Sequence, residues 1–166
     1  MKKNEGAVVA RAAITIAALA LLLPACSSFY LPQVDYGWPV ESVLSVNENN
    51  TVTEGRYAIS FNVAPLAQEE FENPQALKGK EIRLLRSTEG MYYVTGPRFK
   101  HVYVMVPNAG ELKLHRKYEV SEHGLSRPAL NQREPYVELI DGGNLRLLMT
   151  SDDILEEKDL RAEGRK

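Results

Sequence analysis

The side chains of this sequence best suited to chemistry are one cysteine, three histidines and a few clustered basic groups. Cys26 is the only cysteine, so no intramolecular disulfide can form. His101 and His115 fall on adjacent strand-like runs, but no Asp or Glu completes a metal set at ligand spacing. His123 sits beside Gly124 in a loop. Arg98, Lys100, Arg116 and Lys117 gather at the open end of one expected hairpin. They suit lipid headgroups, glycan phosphates or an acidic partner, or they guard a sheet edge with charge. The serines lack the strand-turn-helix setting of an activated nucleophile, and no glycine run suits phosphates. Asp152-Asp153 and Glu156-Glu157 lie in the tail, away from any cleft that would raise a carboxyl pKa. The residues therefore predict no cofactor, no metal and no catalytic group. The candidate partner-binding surface is His101, Lys113, His115 and Lys117, expected to share one solvent face.

Cys26 gains meaning from what precedes it. Lys2 and Lys3 open the chain, Glu5 offsets them slightly, and Arg11 is followed by an uncharged run from Ala12 to Leu23. As a helix that run spans about 18 Å, short of the roughly 30 Å hydrocarbon core. It reads as the apolar centre of a targeting segment. The run ends in Leu23-Pro24-Ala25-Cys26, which resembles the lipobox of bacterial lipoprotein precursors: an aliphatic residue, two small ones, then cysteine. Pro24 departs from the small-residue preference. The resemblance covers residues 1–26. It implies cleavage before Cys26, diacylation of its thiol and acylation of the new amino terminus, giving palmitate-type anchoring stronger than the two signals that suffice. Ser27, where an Asp would imply inner-membrane retention, implies the periplasmic face of the outer membrane in a Gram-negative cell.

Residues 1–25 are thus expected to be a signal peptide, 26–38 a lipidated terminus and short tether, 39–150 a β domain and 151–166 a short helix with a frayed tail. Removing the leader takes the 20 basic and 22 acidic residues to 17 and 21, a net charge near −4. That balance leaves no electrostatic footprint for nucleic acid. Phe29, Tyr30, Tyr36 and Trp38 are the aromatics nearest the anchor and suit either the membrane interface or packing on the domain. Asn49-Asn50-Thr51 has the form of a glycosylation sequon and reads as a turn.

The elements that must position these groups are strands. Tyr57, Ile59, Phe61 and Val63 alternate with polar residues, as do Leu112, Leu114, Tyr118 and Val120. His101 to Val106 is apolar at nearly every position, which predicts a strand covered on both faces. Runs at 80–86, 91–95, 136–140 and 145–150 are further strands. Val40–Val46 is expected to pair with the next run through the Asn47–Asn50 turn. Thr88-Glu89-Gly90, Asn108-Ala109-Gly110 and Asp141-Gly142-Gly143 read as three-residue hairpin loops closed by left-handed glycine. That sets Val106 opposite Leu112, Val104 opposite Leu114, Tyr103 opposite His115 and His101 opposite Lys117. It also sets Val137 opposite Leu147 and Glu138 opposite Arg146. A helix is expected near 64–71 and another starting at Ser151-Asp152-Asp153. The fold class is all-β: an antiparallel meander of about eight strands in a small barrel or sandwich. The expected core is Tyr57, Ile59, Phe61, Val102, Val104, Val106, Leu112, Leu114, Val137, Leu139 and Leu147.

Three functional readings follow. The first is a non-enzymatic envelope lipoprotein, held to the membrane through acylated Cys26 and binding an envelope protein or glycan. The second rests on Gly37-Trp38, eight antiparallel strands and a helical tail, which together resemble lipocalins. That resemblance implies a carrier of a small hydrophobic ligand, although the lipocalin motif separates glycine from tryptophan by one residue. The third is a cell-wall-acting enzyme, which requires two convergent carboxylates about 5–10 Å apart.

Overall fold

The computed structural model describes residues 39–109, 111–143 and 145–156. Cys26, the four aromatics near it, Gly110 and the tail beyond 156 lie outside the described residues. Eleven strands and one helix are described: β1 (Ser42–Ser45), β2 (Thr51–Glu54), β3 (Ile59–Asn62), α1 (Ala64–Phe71), β4 (Glu81–Arg86), β5 (Tyr92–Thr95), β6 (His101–Asn108), β7 (Glu111–Glu119), β8 (Pro128–Arg133), β9 (Tyr136–Asp141), β10 (Leu145–Met149) and β11 (Ile154–Glu156). They form a five-stranded sheet in the order β1-β4-β5-β6-β7, a four-stranded sheet β11-β10-β9-β8 and the hairpin β2-β3. Every described pairing is antiparallel.

The five-stranded sheet carries a core on each face, which explains its near-continuous apolar runs. Ile82, Leu84, Tyr92, Val94, Tyr103 and Met105 point one way, toward α1 and the β2-β3 hairpin. Leu85, Tyr93, Val102, Val104 and Tyr118 point the other way and meet Leu130, Val137, Leu139, Leu147 and Met149 of the four-stranded sheet. The alternation of neighbours such as Leu84 and Leu85 between the two clusters is the period-two geometry of a strand. Each such leucine contributes roughly 1.5–3 kcal/mol by leaving water. The sheets stay open and do not close into a barrel. Of the two expected architectures the barrel is therefore not formed, and a packed cluster of side chains lies on each face of the five-stranded sheet.

Helix α1 forms over the expected residues 64–71. Pro65 sits in its first turn, where the missing N–H costs nothing. Val63 at the cap has no side-chain oxygen, and the Asn62 carboxamide accepts the Ala64 N–H at 2.8 Å instead. At the far end Glu72 turns left-handed, with φ 55°, and Asn73-Pro74 stops the helix.

Three pairings differ from expectation. In the β6-β7 hairpin Asn108 faces Glu111 and Pro107 faces Leu112, one residue off the expected pairing. Ala109 takes a φ of 48°, as a two-residue hairpin turn requires. The register then shifts: Met105 faces Leu114, Val104 faces Arg116, Tyr103 faces Lys117 and His101 faces Glu119. His115 is the extra residue of a β-bulge. A one-residue slip reverses faces, so Leu114 leaves the expected core and is 52% exposed. Tyr57, Ile59, Phe61, Val106 and Leu112 are only partly buried, because the β2-β3 hairpin and the β6-β7 tip cover the sheet incompletely.

In the β9-β10 hairpin Asp141 faces Leu145, so the turn begins one residue later than expected. Val137 therefore faces Met149 and Glu138 faces Leu148, a two-residue slip that keeps the faces. Arg146 still reaches Glu138 diagonally at 3.7 Å. The loop at Thr88-Glu89-Gly90 forms as read, and Gly90 and Gly143 have φ of 83° and 89°.

Val40–Val46 turns at Asn47 as expected, but β1 pairs with β4, and β2 pairs with β3. Ser151-Asp152-Asp153 starts a tight turn rather than a helix. The Thr150 hydroxyl accepts the N–H groups of Asp152 and Asp153, and β11 returns along β10. Hydroxyl-to-backbone bonds of this kind serve turns and helix caps alike, so the local sequence does not separate them. Strand β8 has no counterpart in the expected set.

Candidate binding site

The four residues of the expected partner surface do not share a face. His101 and Lys117 lie on the α1 side of the five-stranded sheet, where each meets a helix carboxylate. His115 lies on the bulge and approaches Asp152, in the β10-β11 turn, at 3.3 Å. Lys113 is exposed opposite Val106, on the side of the four-stranded sheet. The bulge is the cause, since it inserts His115 between residues that alternation would place together. The wider basic cluster is also divided: Arg98 stacks over the Phe71 ring at 5.2 Å, and Arg116 reaches Asp152 at 4.0 Å. His123 is exposed in its loop.

What the α1 side holds instead is a fully enclosed carboxylate. Leu66, Ala67 and Glu70 recur at helical spacing, so they face the sheet together. The Glu70 side chain is 0% exposed. Its Oε1 accepts from His101 Nδ1 at 2.9 Å and from the Tyr103 hydroxyl at 2.8 Å, while Oε2 accepts the Lys100 backbone N–H at 2.7 Å. His101 and Tyr103 share that face because they are two apart on β6. Burial first, and then the Glu70 hydrogen bond and charge, push the Tyr103 hydroxyl far above its ordinary range, so it remains a donor. Beside this group Lys117 donates to Glu69, and that hydrogen bond followed by the lysine charge holds the Glu69 carboxyl below the usual range. Chemically the arrangement is a latch: both carboxylate oxygens of Glu70 are used to dock the helix. Its members were visible in the sequence only as a strand histidine and tyrosine. Nothing local marks Glu70, 31 residues before His101.

Next to the latch the surface opens. A hollow of about 250 Å³ is walled by Phe61, Pro65, Leu66, Met105, Leu112 and Leu114. It continues into a wider trough of about 970 Å³ between β3 and the β6-β7 tip, reaching Ile59, Ser60, Tyr92, Asn108 and Glu111. Phe61, Asn62, Pro65 and Leu112 line both parts. The groove exists because the β2-β3 hairpin and α1 cover the sheet without meeting the β6-β7 tip. Its lining combines apolar side chains such as Phe61, Tyr92 and Leu112 with Ser60, Asn62, Asn108 and Glu111, a mixture that binding clefts commonly show.

Among the described residues no cluster of three or more His, Cys, Asp or Glu could hold a metal ion, and no helix is long and apolar enough to cross a membrane. Comparison with protein-family models, curated proteins and solved structures returned no match.

Proposed function

We propose that this chain is an envelope lipoprotein, anchored through acylated Cys26 at the periplasmic face of the outer membrane, whose β domain is a non-enzymatic binding module. The observation that carries the anchor is the Leu23-Pro24-Ala25-Cys26 stretch behind a basic start and a short apolar run. The binding role is supported by the groove beside α1, whose lining includes Phe61, Leu66, Met105, Leu112 and Leu114. It replaces the dispersed basic surface as the candidate site. An envelope protein is the partner class that suits such a mixture of apolar and polar side chains.

Expression in a Gram-negative host with labelled palmitate tests the anchor. The mature protein should begin at an acylated Cys26, carry label and fractionate with the outer membrane. Cys26→Ser should lose the label and leave a precursor or a soluble form. An unmodified mature protein beginning elsewhere overturns the proposal.

A further inference from the structure

We infer that the groove takes an extended polypeptide segment as an added strand on the edge of β3 that no described strand covers. This deepens the binding-module reading and rests on it. In the β2-β3 ladder Val63 N–H donates to the Asn50 carbonyl at 2.7 Å, which makes that pair a hydrogen-bonded one. Antiparallel pairs alternate, so Phe61 with Val52 and Ile59 with Glu54 bond across the hairpin. Ser60 and Asn62 then form the non-bonded pairs with Thr53 and Thr51. The 3.1 Å approach of the Ser60 and Thr53 hydroxyls fits that closer spacing. The backbone N–H and C=O of Ser60 and Asn62 consequently point away from β2 into the groove. No described strand receives them.

The edges differ in how they are guarded. Strand β7 carries Lys113, Arg116 and Lys117 and a bulge at His115, all devices that discourage pairing. Strand β8 opens with Pro128 and ends with Arg133. Strand β1 is crossed by Arg56, which donates to the Val40 carbonyl at 3.0 Å and to the Ser42 hydroxyl. Strand β3, Ile-Ser-Phe-Asn, has no charge, proline or bulge, and its edge overlooks an apolar floor. An unguarded edge beside such a floor is the geometry of strand addition, where main-chain bonds give affinity and alternate side chains give selectivity. The occupant is therefore an extended segment with apolar residues at alternate positions facing Phe61, Tyr92 and Leu112. Glu111, exposed on the opposite rim, has no ion-pair partner among the described residues. It favours a lysine or arginine at one end of the segment.

The test uses the full lipidated protein in detergent micelles and the labelled peptide Lys-Val-Thr-Val-Thr-Val-Lys. Binding should slow amide exchange at Ser60 and Asn62 by about tenfold or more and leave the outward amides of β7 unchanged. N-methylation of the alternating set of peptide amides that faces the Ser60 and Asn62 carbonyls should weaken binding by up to about tenfold for each hydrogen bond lost. N-methylation of the other set should not. Ser60→Pro removes one outward donor and should act like the damaging set, and the peptide series reads the same contact if that variant fails to fold. Absence of binding, equal effects of the two N-methyl sets, or protection at β7 instead overturns strand addition. The anchor and the groove as a contact surface would stand or fall separately, by the labelling above and by cross-linking through the groove rim.

Discussion

His101 Nδ1 lies 2.9 Å from Glu70 Oε1, a carboxylate with no exposed side-chain surface. The bond joins β6 to α1 and, with Tyr103 and the Lys100 N–H, gives both Glu70 carboxylate oxygens hydrogen-bond partners. Glu70→Ala strands two side-chain donors and one backbone donor, and should cost about 2–4 kcal/mol. Tyr103→Phe should cost about 1–2 kcal/mol. In a double-mutant cycle the two should couple by more than about 0.5 kcal/mol. Urea melts measure this, and additive effects would show that the latch does not act as a unit.

Asp141 accepts the backbone N–H of Ser126 at 2.9 Å and binds its hydroxyl at 3.1 Å. Burial raises the Asp141 carboxyl, but these bonds, those to Arg127 and the Arg127 charge outweigh it and leave the pKa lowered. A depressed folded-state value means that this stabilisation is present above the unfolded carboxyl pKa, near 3.9, and is lost as pH falls through the folded value. Glu54 behaves alike: burial raises it, and Arg56 and Ser42 lower it further. Stability should therefore decline below about pH 4. Asp141→Asn should flatten part of that decline while lowering stability at pH 7. An unchanged acid limb in Asp141→Asn would assign the loss to other groups.

Leu114 and Val104 should behave oppositely. Val104 is fully buried between the sheets, and Val104→Ala should cost about 1–3 kcal/mol through lost burial and a cavity. Leu114→Ala, at a half-exposed edge position, should stay within about 0.5 kcal/mol. Chemical denaturation of the two variants checks this. A cost of several kcal/mol for Leu114→Ala would restore the register without the bulge.

That contrast shows how far local pattern carries. Alternation and turn chemistry located most strands, α1 and the doubly covered β6, because periodicity and glycine positions are local properties. The bulge at His115 is not local: it depends on how Leu112 settles against the α1-side core while Tyr118 settles against the other sheet. One inserted residue separated His115 from His101 and dissolved the expected basic face. The choice of β4 as the partner of β1, across Asn47–Lys80, is a tertiary matter of the same kind. Glu70 was silent because a glutamate on a short helix reads as solvent-facing until the helix docks. The β3 edge was silent because only the ladder phase shows where the Ser60 and Asn62 backbone groups point.

The claim that the groove is the contact surface is tested most directly by site-specific photo-cross-linking in intact envelopes. The photoreactive residue p-benzoylphenylalanine would replace Asn62 or Glu111 on the groove rim, or Lys113 or His115 on the surface away from it, with Cys26 intact in every case. One discrete cross-linked product is expected from Asn62 and Glu111, mapping by mass spectrometry to an extended segment of an envelope protein, and none from Lys113 and His115. The same product from Lys113 and His115, with the groove positions silent, would contradict it.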